Sequence, residues 1–214
     1  PGDISNQTVA MYKVFMNMYD TLIKIDYKNN TGTKPALAES WKRIDDTTLE
    51  LKLRKGVKFW DGSEFTADDV LATFGSRRAL SEDSVMGKDK NFPTFKEVQK
   101  IDDYTIRIIT KKADPSVEQI LSLPSFSIIN GKAFNSQDFK TWQFKPLGTG
   151  PYKIAEFVDA EYLALEANEE YWGGKPAYKK ITFKVVPEVA ARVAGLQAGD
   201  FHIITDLPPD LFST

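Results

Sequence analysis

Residues 59–71 read F-W-D-G-S-E-F-T-A-D-D-V-L and bring together the carboxylates Asp61, Glu64, Asp68 and Asp69. Clustered carboxylates can hold a divalent cation or divide acid and base work between them. Each one here also has a structural account. Asp61-Gly62 is a hairpin-turn pair, because glycine takes the positive φ of a tight turn. Thr66 followed three residues later by Asp69 has capping-box spacing, and Asp68 and Asp69 fall in a first helical turn, where the dipole favours negative charge. A calcium loop needs oxygen ligands at alternate positions and glycine at the sixth, which D-G-S-E-F-T lacks. Nothing in the sequence isolates one carboxylate in an apolar pocket that would raise its pKa. The stretch therefore reads as a turn followed by a helix cap.

The remaining catalytic chemistry is thin. His202 is the sole histidine and there is no cysteine, so disulfides, thiolate nucleophiles and metal sites of ordinary spacing have no residues to build them. No Ser/His/Asp order presents itself. No cofactor, no metal and no catalytic residue is expected, and a carboxylate-dependent hydrolase is the weaker alternative.

Positioning elements follow from periodicity. Ala10–Asp20 carries Met11, Val14, Phe15 and Met18 at the spacing of a helix with one buried face, and 21–26 alternates as a short strand. R-I-D-D-T-T-L-E-L-K-L at 43–53 is echoed by K-I-D-D-Y-T-I-R-I-I-T at 100–110, each a strand, an Asp-Asp turn and a strand. Leu49, Leu51 and Leu53, and Tyr104, Ile106 and Ile108, mark the buried faces of two hairpins in one antiparallel sheet. From Leu147 onward, glycine- and proline-punctuated runs predict long strands of a second sheet. A helix is expected after Pro187, with Val189, Val193 and Leu196 on one side and a stop at Gly199, then a short strand over 201–205. Two α+β units result, 28–130 and 131–214, with the N-terminal helix and strand joining the second.

The chain has 214 residues and a net charge of −2 from 28 basic and 30 acidic residues dispersed along it, a balance that speaks against nucleic acid as a partner. No apolar run reaches the roughly 18 residues of a membrane span. Pro1 opens no basic or apolar leader, so a leader is expected to have been removed.

The run L-A-E-S-W-K-R-I-D-D-T-T-L-E-L-K-L-R-K-G-V-K-F-W-D-G-S-E-F-T-A-D-D-V, from Leu37 to Val70, closely resembles the signature of the family 5 extracellular solute-binding proteins, the oligopeptide- and dipeptide-binding components of ABC importers. G-T-G-P-Y-K-I at 148–154, N-E-E-Y-W-G-G-K-P at 168–176 and L-Q-A-G-D at 196–200 follow in the family's order. The resemblance implies an α+β or α/β fold, a type II periplasmic-binding lobe bearing an extra mixed α/β subdomain, with the second lobe absent. Residues 1–27 and 131–214 would form the first ligand-binding lobe and 28–130 the buttressing subdomain. The implied function is capture of a peptide-like solute between two lobes and delivery to a permease in the cytoplasmic membrane. Nickel complexes, opines and oligosaccharides are alternative cargoes. The implied protein is a monomer when intact, periplasmic or extracellular, with a lipid anchor as an option.

The resemblance sets Asn6, Gln7 and Thr8 along the ligand, with a helix N-cap as the other reading. Leu123 and Phe126 of L-P-S-F-S match a cleft-facing loop, although core packing suits Phe126 equally. Gly148, Thr149 and Gly150 could let a ligand approach main-chain N–H groups. Trp142, in a polar T-W-Q-F run, could reach the cleft, whereas Trp41, Trp60 and Trp172 read as packing anchors. Thr205 and Asp206 lie where the chain would cross between lobes, as hinge, ligand contact or both.

Overall fold

A computed structural model describes residues 9–28, 32–75, 92–137, 139–142 and 144–209. The charged hairpins build its largest sheet. Strands β3 (Ala38–Asp45), β4 (Thr48–Leu53), β5 (Phe95–Asp102) and β6 (Thr105–Thr110) are antiparallel in the order β3-β4-β6-β5. Alternation decides its faces. Leu49, Leu51, Leu53, Ile106 and Ile108 are buried beneath α2 (Ala67–Phe74), which contributes Val70 and Phe74. On the other face the register aligns Lys42, Glu50 and Arg107, and Glu50 accepts hydrogen bonds from Arg107 at 2.9 and 3.0 Å. Opposite charges directly across a ladder stabilise that pairing.

The second sheet is β7 (Tyr152–Val158), β8 (Tyr162–Ala167) and β9 (Lys180–Lys184), antiparallel in chain order. Its β7–β8 hairpin packs on α1 (Val9–Met18), where Val14, Phe15 and Met18 meet Tyr152, Leu163 and Leu165. Buried residues thus form two clusters. One runs from Leu22 and Ile23 through the large sheet to Ile128, and the other joins α1 to Ile129, Phe134, Trp142 and the second sheet. Each fully buried aliphatic or aromatic side chain stabilises by about 1.5–3 kcal/mol, so both clusters are substantial cores.

Two sequence expectations are corrected. The strand over 21–26 does not join the second unit: β1 (Ile23–Ile25) pairs with β2 (Thr33–Pro35), and Leu22 and Ile23 enter the first core. Backbone bonds from Leu37 N to Thr21 O and from Ala38 N to Leu22 O fix it there. Residues 201–205 form no strand, because a strand exists only when a neighbour shares its ladder and no described segment does. Short helices α3 (Val117–Ile120), α4 (Gly131–Asn135) and α5 (Phe139–Trp142) precede α6 (Val189–Ala198), which does end as read, at Gly199 with φ +82. Among the described residues no helix is long and apolar enough to cross a membrane.

Candidate functional site

The carboxylates of 59–71 diverge. Asp61 accepts from Ser63 N at 3.0 Å and Ser63 Oγ at 2.6 Å, closing a turn in which Gly62 has φ +84. Glu64 accepts from the Tyr104 hydroxyl at 2.6 Å, and Asp68 pairs with Lys100 at 2.9 Å. Asp69 closes the capping box, accepting from Thr66 N at 2.9 Å with one oxygen and from Gly131 N at 2.9 Å with the other. Among the described residues no three His, Cys, Asp or Glu side chains gather as a metal would need. One expectation fails: Asp69 is buried, and desolvation pushes its pKa above the usual carboxylate range despite the two backbone donors. Its burial comes from α4 (Gly131–Asn135) packing against α2, at the seam between the two cores.

A carboxylate that sequence reasoning passed over is the true polar centre. Asp20 is fully buried and accepts from Lys24 Nζ at 2.6 Å, Tyr171 Oη at 2.9 Å, Trp172 Nε1 at 2.9 Å and Thr149 Oγ1 at 3.0 Å. Burial and the neighbouring Asp20 charge drive the Tyr171 phenol well above its ordinary pKa, so it stays a proton donor. A buried carboxylate persists only when paired and hydrogen-bonded, and this one has a cation and three neutral donors. One local signal existed: Asp20 follows the C-terminal end of α1, where the dipole disfavours an anion, so a specific partner was required.

Around Asp20 the signature blocks interlock. Gly150 N donates to Met18 O at 3.1 Å, Trp60 N to Gly148 O at 3.2 Å, and Trp60 Nε1 to Gly150 O at 3.1 Å. A Cβ on Gly148 or Gly150 would lie inside 3.0 Å of Met18 backbone. The glycines thus admit the chain's own backbone at the end of α1. Arg54 stacks over Trp172 with its guanidinium 4.8 Å from the ring centroid, drawing in the large sheet as well.

The predicted ligand residues separate into two groups. Phe126 is fully buried and stacked on Phe74 at 5.6 Å, and Trp142 is buried edge-on against Phe134 at 5.3 Å. Both fill cores and offer a ligand no side-chain surface in this conformation. Thr149 is likewise buried on Asp20, and Gly148 and Gly150 are buried beside it. Leu123, Thr205 and Asp206 are exposed. Asn6, Gln7 and Thr8 lie outside the described residues.

This mixed α/β architecture, with three antiparallel sheets among the described residues, is that of a periplasmic-binding-protein lobe. The chain belongs to the bacterial extracellular solute-binding proteins, family 5, whose model matches residues 32–214. It is 36% identical over 191 residues to the oligopeptide-binding protein AppA of Bacillus subtilis (strain 168), covering 86% of this chain and 34% of AppA. The solved AppA structure, in complex with a nonapeptide, matches with a TM-score of 0.79 at 33% identity, over 91% of this chain and 39% of that one. DppA from Helicobacter pylori, in complex with the peptide STSA, gives 0.76 at 28% identity, over 86% and 40%. The nickel-binding periplasmic protein of Escherichia coli (strain K12) is 31% identical over 202 residues, covering 92% of this chain and 38% of its own length. The chain therefore spans 34% to 38% of the length of these curated relatives.

Proposed function

We propose that this chain is part of the substrate-binding component of an ABC importer, and that it helps capture a peptide-like solute outside the cytoplasm for delivery to a membrane permease. The observation that carries this reading is the likeness to AppA over 86% of the chain, joined to a structure in which the shared blocks interlock around Asp20 as scaffold. Binding without chemistry suits such a site, since the carboxylates of 59–71 are committed to a turn, a cap, a hydrogen bond from Tyr104 and an ion pair with Lys100. We assign 1–27 and 131–214 to the ligand-binding lobe and 28–130 to its buttress, a boundary supported on its C-terminal side by the two cores meeting between Ile128 and Ile129, whereas on its N-terminal side the strand within 21–26 packs with the buttress. On this reading Leu123, Thr205 and Asp206 face the solute with Asn6, Gln7 and Thr8. Gly148, Thr149, Gly150, Phe126 and Trp142 act from within, by fixing the loops that bear the contacts. A peptide would be held through its main chain, as an added strand is held at a sheet edge, which tolerates varied side chains.

A second cargo, a nickel complex, is favoured by the 31% identity to a nickel-binding relative. Titration calorimetry on a protein of the relatives' full length carrying this chain decides between them. Heat on adding di- to tetrapeptides, and none with a nickel–histidine complex, is the expected result. The reverse pattern would replace the peptide, and silence with both would remove this cargo class.

A further inference from the structure

Asn130 and Gly131 stand at the seam between the two cores, held from several sides. Asn130 is 5% exposed, its Oδ1 accepting from Ala133 N at 2.8 Å and its Nδ2 donating to Ser63 Oγ at 2.8 Å. Its backbone N donates to Leu147 O at 3.4 Å, and Gly131 N donates to the buried Asp69 carboxylate at 2.9 Å. Ser63 Oγ in turn donates to Asp61 at 2.6 Å, so its single proton is committed and it meets Asn130 as an acceptor.

Packing dictates both residues. A Cβ on Gly131 would stand 2.5 Å from the Cβ of Ala72 on α2, so the approach of α4 to α2 requires glycine. Position 130 needs a side chain that accepts on one atom and donates on the other, which an uncharged amide supplies.

The result is asparagine followed by glycine, the pair in which a backbone nitrogen is least hindered from attacking a side-chain amide, since glycine carries no Cβ. In that reaction Gly131 N loses its proton and bonds to Asn130 Cγ, the Cγ–Nδ2 bond breaks, and ammonia leaves. Water then opens the five-membered imide at one of its two carbonyls, giving aspartate or isoaspartate at 130. The folded contacts oppose each step. The amide is pinned at both ends and cannot swing over Gly131 N, the Asp69 carboxylate holds the Gly131 proton, and burial keeps water out.

We infer that Asn130 is a modification site that deamidates through Gly131 N when the seam between α2 and α4 opens locally, and that the product prevents the seam from closing again. An aspartate oxygen at 130 would face Ser63 Oγ with no proton between them, and it would add a negative charge beside Asp61 and Asp69. Isoaspartate lengthens the backbone by a methylene and draws Gly131 N out of register with Asp69.

The test uses a protein of the relatives' full length carrying this chain, held in mildly alkaline buffer and sampled by peptide mass spectrometry for the amide-to-acid change at 130. Conversion is expected to be at least about ten-fold faster in urea than under native conditions. Ser63→Ala frees the amide nitrogen and should quicken the native reaction about two- to ten-fold, the equilibrium worth of one hydrogen bond. Ile108→Val, in the large sheet, lowers global stability without touching the seam and should leave the native rate unchanged. No conversion in urea, or a native rate equal to that in urea, overturns the proposal. A Ser63→Ala rate no faster than the parent's overturns the pinning, and equal acceleration by Ile108→Val overturns local opening. Asn130→Asp installs the product directly. Aspartate caps a helix about as well as asparagine does, so the lower urea midpoint expected for this variant would come from the Ser63, Asp61 and Asp69 contacts. A midpoint equal to or above the parent's overturns the seam's failure to close.

Discussion

Asp20 shows how much a single side chain can organise. Its four donors come from α1's own neighbourhood and from positions 129, 151 and 152 residues away. Asp20→Ala would strand the Thr149, Tyr171 and Trp172 donors in the interior, so a loss of about 3–5 kcal/mol is expected in denaturant unfolding. Asp20→Asn keeps an acceptor and should cost less. Gly150→Ala is predicted to cost about 3 kcal/mol by the same measurement, because its Cβ would meet the Met18 backbone, which no rotamer change can move aside. Local residue roles were legible in sequence. The Thr66/Asp69 cap and the Gly62 turn depend only on near neighbours, whereas the partners of Asp20 are set by packing of distant segments. The same limit explains Gly148 and Gly150: the sequence shows that backbone can come close to them, not whose backbone it is.

Among elements, α2 joins local capping to long-range packing through Asp69. Its folded pKa is raised by burial, so this carboxyl favours the folded state when protonated. That contribution is complete below the unfolded pKa of about 4 and is lost as pH rises through the higher folded value. Asp69→Asn removes the titration together with part of the cap. The stability of the parent relative to Asp69→Asn should therefore fall as pH is raised from about 4, measured by urea midpoints at successive pH values. A difference that grows with pH would mean that the Thr66 and Gly131 N–H groups outweigh desolvation. Glu50 has the opposite sign. Its bonds from Arg107 hold its pKa down, so its contribution appears above the ordinary carboxylate range and fades on acidification. Period-two alternation with two Asp-Asp turns makes the large sheet readable from the sequence alone. The destination of β1 was not, since a strand of three residues carries no mark of its partner.

At the scale of the whole molecule the two cores differ in how well they are covered. The first is closed by α2 on one face of its sheet and by an ionic ladder on the other. Around the second, Phe144, Phe157, Tyr178, Val185, Leu196 and Ile203 are all exposed, and Phe144 and Phe157 pair in the open at 6.1 Å. Helix α6 buries only Gly195, and β9, an edge strand among the described residues, alternates half-buried with exposed positions and has none fully buried. Apolar groups and an unpaired strand edge on the same part of a molecule favour association with another copy, because burying them removes water from both surfaces. This chain should accordingly show a sedimentation coefficient that rises with concentration in the micromolar range. Replacing Phe157 and Leu196 with lysine should flatten that dependence, whereas Ile44→Lys on the charged face of the large sheet should leave it unchanged. A coefficient independent of concentration in the parent chain would show that these residues are too scattered to act as one surface. Equal effects of Ile44→Lys and the double substitution would instead trace the association to net charge, since lysine adds positive charge wherever it is placed.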